Sequence, residues 1–170
     1  MKIHNIIALI LFYSRLIKAK PVIYKEYPIS ENLIVSFCEF TNPKDYLLDL
    51  ERLKIIPDPP IRGKEVTIEA SGTLKEDILL GSYALLKAKY EFIPLISVKE
   101  DLCEQAKRID IRCPIRKGYF SVNQTFFIPK NIIPGKYIVL SDVMTEKNQR
   151  IACFSISVVF GSRIFVNNNS

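Results

Sequence analysis

Four cysteines constrain the fold of this chain more than any other feature. Cys38 and Cys153 stand near the two ends of the body of the sequence, and Cys103 and Cys113 stand close together between them. The chain opens with a segment typical of a secretion signal, and an even number of cysteines in a secreted protein indicates a disulfide framework. Four cysteines can pair in three ways, and the spacing alone does not choose among them.

The first 19 residues have the layout of a signal peptide. A short basic start is followed by an apolar run over residues 6–13 and a mixed tail that ends at Ala19, where cleavage is expected. The apolar run is too short to cross a bilayer, which needs about 20 residues. An uncleaved N-terminal strand or anchor is the alternative. No later segment is long and apolar enough to span a membrane, so we predict a soluble product of the secretory pathway.

The charge of the predicted mature chain excludes one class of partner. The full sequence has 24 basic and 18 acidic residues, and the signal removes three basic residues and no acidic one, which leaves 21 against 18. A nucleic-acid-binding domain needs a clustered basic face, which so small an excess does not indicate. We therefore expect no nucleic-acid partner.

The sequence contains Ser, Lys and carboxylate residues but lacks the motifs of common catalytic sites. The only histidine, His4, lies in the predicted signal, so the mature chain has neither the commonest general base nor the commonest metal ligand. It contains no nucleophile elbow, phosphate-binding glycine loop or metal-spaced cysteine set. The acidic residues Glu100, Asp101 and Glu104 are interpreted as solvated charges rather than a catalytic pair. We predict that the protein is not an enzyme and uses no metal and no cofactor.

Alternation of apolar and polar residues indicates β-strands along the whole mature chain. The alternation is clearest at residues 66–70, 120–126 and 152–160. Further strands are predicted at residues 33–39, 46–56, 83–92 and 136–144. Turns that contain Pro, Gly and Asn separate these segments, and helical periodicity is weak, with a turn or two expected at residues 100–107.

Seven or eight short strands with such turns predict an all-β fold, a β-sandwich. No linker, repeat or low-complexity tract divides the mature chain, so one domain is expected over residues 20–165. The last residues, 166–170, are polar and are predicted to be a disordered tail.

Five segments of the chain, in this order and with these cysteines, resemble a known family. They are residues 55–72, 101–105, 113–115, 128–137 and 151–154. Together they are similar to the ML, or lipid-recognition, domain over residues 31–160. The resemblance is closest to the fungal phosphatidylglycerol/phosphatidylinositol transfer proteins, relatives of the lysosomal sterol carrier of Niemann–Pick type C disease.

The resemblance implies a fold and a disulfide pairing. The fold is an immunoglobulin-like β-sandwich of two antiparallel sheets that part at one end around an apolar lipid cavity. The pairing joins Cys38 to Cys153 and Cys103 to Cys113. The third, local disulfide of an animal member has no counterpart here, because no cysteine lies between Cys38 and Cys103.

A packed sandwich and a hollow one share the same alternation, so only the resemblance predicts the cavity. The predicted cavity wall is Val66, Ile68, Tyr90, Phe92, Phe120, Val122, Phe126, Val139, Phe154 and Ile156. The mouth is expected between two apolar segments carried over by position. These are Phe92 with Ile93 and Pro94, and Ile132 with Ile133 and Pro134. Exposed apolar loops at this mouth would let the rim enter a bilayer.

One modification site is also predicted. Asn123, Gln124 and Thr125 form a glycosylation sequon, with Asn123 on the polar face of its strand. The function expected from the resemblance is intermembrane transfer of a phospholipid, phosphatidylglycerol or phosphatidylinositol, or of a sterol. The alternative is a lipid-sensing interaction module that does not transfer lipid and presents a surface to a membrane receptor. A monomer is expected.

The expected partners of the carrier are its lipid ligand, a transient membrane surface and a membrane sterol transporter. Its expected location is the secretory pathway, either the vacuole or lysosome lumen or outside the cell. The sequence does not indicate which lipid is carried.

Overall fold

The computed structural model describes residues 27–30 and 33–161, which form two antiparallel β-sheets. The strands are β1 (Tyr27–Ser30), β2 (Leu33–Phe37), β3 (Leu48–Ile56), β4 (Glu65–Leu74), β5 (Tyr83–Tyr90), β6 (Ile93–Asp101), β7 (Gly118–Phe127), β8 (Gly135–Met144) and β9 (Arg150–Phe160). A short helix, α1 (Leu102–Lys107), follows β6, and a 3-10 turn at Pro43–Asp45 precedes β3. The predicted signal at 1–19 and the predicted tail at 166–170 lie outside the described residues.

The large sheet has six strands in the order β1-β2-β9-β8-β5-β6, and the small sheet has three in the order β3-β4-β7. All neighbouring strands are antiparallel. The predicted all-β fold of two antiparallel sheets is therefore confirmed. β6 and β7 are edge strands of their sheets.

The three segments with the clearest alternation lie inside β4, β7 and β9. Burial alternates along most of β7, and it alternates at both ends of β4 and at the C-terminal end of β9, where one set of residues faces the other sheet. The hydrophobic effect favours this arrangement, because burying apolar area stabilises by about 25 cal/mol per Å². The predicted period-two signal therefore corresponds to strands with one face toward the interior.

The strand predicted at 83–92 was extended too far, and the strand that follows it was not predicted. β5 ends at Tyr90, and Glu91 and Phe92 form the turn of a hairpin, with Glu91 at a φ of 52°. β6 then pairs with β5 and contains a bulge near Leu95, which interrupts the alternation. Pro94 is tolerated because β6 is an edge strand. The sequence offered neither a turn glycine nor a regular period.

The predicted turn of helix near residues 100–107 begins at Leu102. The carboxylate of Asp101 caps it by accepting a hydrogen bond from the backbone N–H of Glu104 at 2.9 Å. Such a cap satisfies one of the free N–H groups at a helix start. The disulfide between Cys103 and Cys113 ties α1 to the segment that leads into β7.

The core lies mainly between β2 and β9 of the large sheet and β3 and β4 of the small sheet. Buried side chains from both sheets form one cluster here: Leu33, Val35, Ile55, Val66, Val158 and Phe160. A second cluster lies beside it, around Phe37, Tyr46 and the disulfide between Cys38 and Cys153. This bridge joins the end of β2 to β9, and its two cysteines have a sequence separation of 115. Both disulfides are the ones that the resemblance implies.

Candidate functional site

The inner face of the large sheet changes from buried to exposed across its width. One row of side chains at a single level crosses five strands: Val35 on β2, Ile156 on β9, Val139 on β8, Ala88 on β5 and Ile96 on β6. Val35 is 1% exposed, the three central residues are half-buried, and Ile96 is 53% exposed. The same apolar face is covered at one side of the sheet and uncovered at the other.

The small sheet shows the same change. Val66 on β4 is paired with Phe126 on β7, so the two side chains share a face, yet Val66 is 7% exposed and Phe126 is 50% exposed. One level away, Ile55 on β3 is buried, whereas its neighbours Ile68 on β4 and Gln124 on β7 are half-buried. The exposed edge of the small sheet is therefore β7.

These two gradients divide the sandwich into two regions. In the closed half, β2 and β9 pack directly on β3 and β4 through a shared cluster of buried side chains. In the open half, β5 and β6 present an apolar inner face, and so does β7, without such a buried cluster among the described residues. An apolar surface left uncovered between two sheets is a candidate site for an apolar ligand.

A third cluster of side chains closes one end of the open half. We call this end the floor. Phe120, at the start of β7, packs against it from the inner face. Its buried members are Leu47, Leu74, Ile78 and Ile151. An isolated β-bridge between Ile78 and Ile115 holds the segment before β7 against the loop after β4.

The opposite end, which we call the mouth, is held by hydrogen bonds between two loops. The Tyr90 hydroxyl donates to the carbonyl of Pro134 at 2.9 Å. The Glu91 backbone N–H donates to the carbonyl of Lys136 at 2.8 Å, and the Lys136 N–H donates to Glu91 Oε1 at 2.7 Å. Gly135 allows this approach, because it has a φ of 143° and a Cβ there would lie 2.6 Å from the Tyr90 ring.

The structure places nine of the ten predicted wall residues on the inner faces of the sheets. Four of them pack against the core of the closed half: Val66, Ile68, Phe154 and Ile156. The other five face the open half or its ends: Tyr90, Phe120, Val122, Phe126 and Val139. Contact of any of these residues with a ligand stays a prediction.

Phe92 is the exception and corrects the predicted wall. It lies in the β5–β6 turn and is 95% exposed, so it does not face the space between the sheets. The physical reason is the early end of β5, since a residue in the turn leaves the alternation of the strand. Phe92 is instead an apolar side chain at the tip of the mouth.

The predicted mouth residues also separate into two groups. Ile93, Pro94, Ile133 and Pro134 are exposed, and Ile133 is 61% exposed. Ile132 is half-buried and packs against the core of the closed half, and its carbonyl accepts a hydrogen bond from Arg62 at 2.9 Å. Ile132 therefore anchors the loop to the core, whereas the side chain of Ile133 is exposed to solvent on the outer side of the loop.

The sequence prediction missed the inner face of the β5–β6 hairpin. By register, this face carries Leu86, Ala88, Ile96 and Val98. The alternation of Ile96, Ser97 and Val98 was a usable signal, but it was too short once the bulge at Leu95 had broken the pattern. The amide of Gln124 on the facing strand was also not singled out.

The strongest electrostatic interactions lie away from the inner face of the open half. The backbone N–H of Lys117 and the guanidinium of Arg116 lower the pKa of Asp77, whose loop adjoins the floor. Hydrogen bonding to Asp142, at 2.7 and 2.9 Å, raises the pKa of Arg150. Asp142 is paired with Cys153 and lies outside the inner row, so this pair is on the outer face of the large sheet.

The part of the chain that the structure describes holds neither a metal site nor a membrane-spanning helix. Within 27–30 and 33–161, no group of His, Cys, Asp and Glu side chains is placed to hold a metal ion. In the same part of the chain, none of the helices has the length and apolar character needed to cross a membrane.

Comparison with known sequences identifies a family match and similar proteins. A family model described as the ML domain matches residues 32–160. A Neurospora crassa protein named phosphatidylglycerol/phosphatidylinositol transfer protein is 37% identical over 150 residues, which cover 83% of this chain and 85% of the relative. A protein of the same name from Aspergillus fumigatus is 36% identical over 133 residues, or 78% of this chain and 75% of the relative.

Two solved structures share the fold at low sequence identity. Chicken MD-1, in a crystal structure with lipid IVa, matches with a TM-score of 0.54 and 19% identity over 77% of this chain and 92% of that one. A Niemann-Pick type C2 protein from Japanese carpenter ant matches with a TM-score of 0.51 and 17% identity, over 73% and 98% of the two chains.

Proposed function

This chain belongs to the ML domain family, and from that premise we propose that it binds a phospholipid and carries it between membranes. The two fungal relatives are named for phosphatidylglycerol and phosphatidylinositol, which makes these lipids the first candidates for its cargo. A sterol is the second candidate. The observation that carries the proposal is the uncovered apolar inner face of the open half.

The energetic requirement for such a carrier is large. Moving a sixteen-carbon acyl chain from a bilayer into water costs on the order of 13 kcal/mol, at about 0.8 kcal/mol for each methylene. A protein that covers the chain removes most of that cost. The inner faces of β5, β6 and β7 offer apolar side chains for this purpose, and binding would in turn cover Ile96, Val98 and Phe126.

The mouth is proposed to be the part that meets the membrane. Three apolar side chains are exposed there, Phe92, Ile93 and Ile133. Lys89 and Lys136 are exposed on the adjoining strands β5 and β8, near the same end. Apolar residues that enter the interface and basic residues that attract anionic lipids are the two components of weak, reversible membrane binding.

The proposed location is the secretory pathway, with the vacuole or lysosome lumen or the outside of the cell as its destination. The two disulfides support this location, because such bonds persist in oxidising compartments. We also propose that Asn123 carries a glycan. Its side chain is exposed on the outer face of β7, opposite the inner row of Phe120, Val122 and Phe126.

A transfer assay tests the proposal directly. Purified protein is mixed with donor vesicles that contain fluorescent phosphatidylglycerol and with unlabelled acceptor vesicles. We expect protein-dependent transfer of intact lipid, faster from anionic than from neutral donors, with a difference that shrinks as salt screens the lysines. Native mass spectrometry should show one lipid bound to the protein.

Three outcomes would contradict parts of the proposal. A hydrolysed lipid would exclude a simple carrier. Lipid binding without transfer would favour the alternative, a lipid-sensing module that presents its surface to a membrane receptor. Transfer that does not depend on salt would remove the electrostatic step and leave membrane contact to the apolar side chains of the mouth.

A further inference from the structure

Gln124 is a polar side chain on the inner face of a strand whose other inner residues are apolar. Its register partner on β4 is Ile68, which packs against the core. Its inner neighbours on β7 are Val122 and Phe126. The side chain is half-buried, and no hydrogen-bond partner for its amide is found among residues 27–30 and 33–161.

The Gln124 amide is still open to water in this structure, since among the described residues the Ser82 hydroxyl is the only side-chain polar group that is fully buried without a partner. An apolar ligand in this space would displace that water. An amide removed from water without a hydrogen bond loses free energy, whereas an apolar side chain of similar size would extend the wall at no such cost. The outer face of the same strand shows where polar groups find partners, since the Thr125 hydroxyl is 2.9 Å from that of Thr67. Gln124 faces the other way, toward the space proposed to hold the lipid.

The depth of Gln124 suggests which part of a lipid it meets. Phe126 lies at the level of the mouth, and Gln124 lies two residues deeper along β7, which is about 7 Å. In a glycerophospholipid whose headgroup stays at the mouth, the groups at about this depth are the ester carbonyls that join the glycerol to the acyl chains. A carbonyl oxygen accepts hydrogen bonds, and a glutamine NH₂ group donates them.

We propose that the side-chain amide of Gln124 donates a hydrogen bond to an ester carbonyl of the bound phospholipid. Gln124 would then be a positioning residue that sets the depth of the lipid and favours ester-linked over ether-linked chains. This inference rests on the proposed function, because it assumes a phospholipid between the sheets. It adds a selectivity that an entirely apolar wall would not provide, since such a wall holds both chain types equally.

The test compares two forms of one lipid. Transfer and equilibrium binding are measured with diacyl phosphatidylglycerol and with dialkyl phosphatidylglycerol of the same chain length, for the full chain and for Gln124→Leu and Gln124→Glu. The natural protein should prefer the diacyl lipid about fivefold, the scale of one net neutral hydrogen bond. Both variants should lose that preference. Both retain Asn123 and Thr125, so the sequon is unchanged.

Val122→Leu is the matched control, since it alters the inner face of β7 without changing its polarity. This variant should change the binding of both lipids together and keep the preference between them. Equal binding of the two lipids by the natural protein would overturn the inference and leave the carrier proposal intact. Binding of neither lipid would exclude phosphatidylglycerol as the cargo, which contradicts the proposed function at the lipid tested and removes the basis of this inference. The Gln124→Glu variant, which is nearly isosteric, decides the matter if Gln124→Leu does not fold.

Discussion

The closed and open halves of this sandwich are built from strands with the same alternation, yet only one half is packed. Val35 and Ile96 lie on the same level of the same sheet face, and one is covered by the small sheet while the other is not. Alternation specifies which face of a strand points inward. It does not specify how far away the opposite sheet lies, and that distance decides whether the face is a core or a cavity wall.

The two halves also differ in the interactions that hold their strands together. In the closed half, a shared apolar cluster packs between the strands of the two sheets. A disulfide in the cluster beside it links the end of β2 to β9. In the open half, the ties are at the ends: the disulfide between Cys103 and Cys113 and the bridge between Ile78 and Ile115 near the floor, and the hydrogen bonds at the mouth. Stability and cargo binding are therefore expected to respond to different substitutions.

The largest expected effect is the loss of the long disulfide. Replacing Cys38 and Cys153 by Ala should lower the free energy of unfolding by about 5 kcal/mol, because the bridge closes a loop across 115 positions. Replacing Cys103 and Cys113, which are 10 positions apart, should cost about 3 kcal/mol. Urea unfolding of both double variants gives the two values. Equal losses would show that the two halves do not differ in this way.

Ile132 and Ile133 are adjacent in sequence and should respond oppositely to the same change. Ile132→Asp places a carboxylate against the core of the closed half and should destabilise the fold by about 3 kcal/mol. Ile133→Asp places it on an exposed loop, so stability should hold while vesicle transfer slows severalfold. Thermal unfolding and the transfer assay are run on both. If Ile133→Asp unfolds the protein instead, the mouth is not where we place it.

The same substitution at one valine in each half compares the two halves most directly. Val35→Ala should cost about 2 kcal/mol of stability, because two methyl groups leave a buried site. Val98, on the inner face of β6, is 41% exposed, so Val98→Ala should cost well under half as much. Denaturant midpoints measure both. Lipid affinity should fall for Val98→Ala and stay unchanged for Val35→Ala, and the reverse pattern would exchange the roles of the halves.

The smallest expected effect depends on pH. Because Lys117 and Arg116 lower the pKa of Asp77 in the folded state, the ionised carboxylate stabilises the fold at pH values above its ordinary pKa of about 4. That contribution disappears as the pH falls through the folded pKa. Asp77→Asn should therefore be slightly less stable than the natural protein at pH 7 and equally stable in strong acid. A difference that does not shrink as the pH falls below the ordinary pKa of the carboxyl group would contradict this explanation.

Much of this fold was predictable from the residues, and the exceptions have physical causes. The alternation at 66–70, 120–126 and 152–160 located three strands, because one-sided burial requires it. The turn at Glu91 and Phe92 was not predictable, since it contains none of the residues that usually mark a turn. As a result Phe92 was assigned to the wall as well as to the mouth, and its exposure agrees only with the mouth.

The cavity was predicted only through the resemblance to a family. No local sequence pattern indicates that β6 and β7 are both edge strands, because the position of a strand in its sheet depends on the order of strands in the two sheets. The face of Gln124 could be inferred from the alternation of its neighbours. That its amide has no hydrogen-bond partner within the described part of the chain is visible only in three dimensions.

The pairing of β2 with β9 has a consequence for the order of events during folding. This pairing joins the two ends of the domain, so its closure requires a large loss of chain entropy and should occur late. The β5–β6 hairpin and the β8–β9 pair are local and should form early. In a newly made chain, the inner face of the β5–β6 hairpin would then be exposed before the closed half has formed. Lipid or a chaperone could bind this proposed cavity wall at that stage.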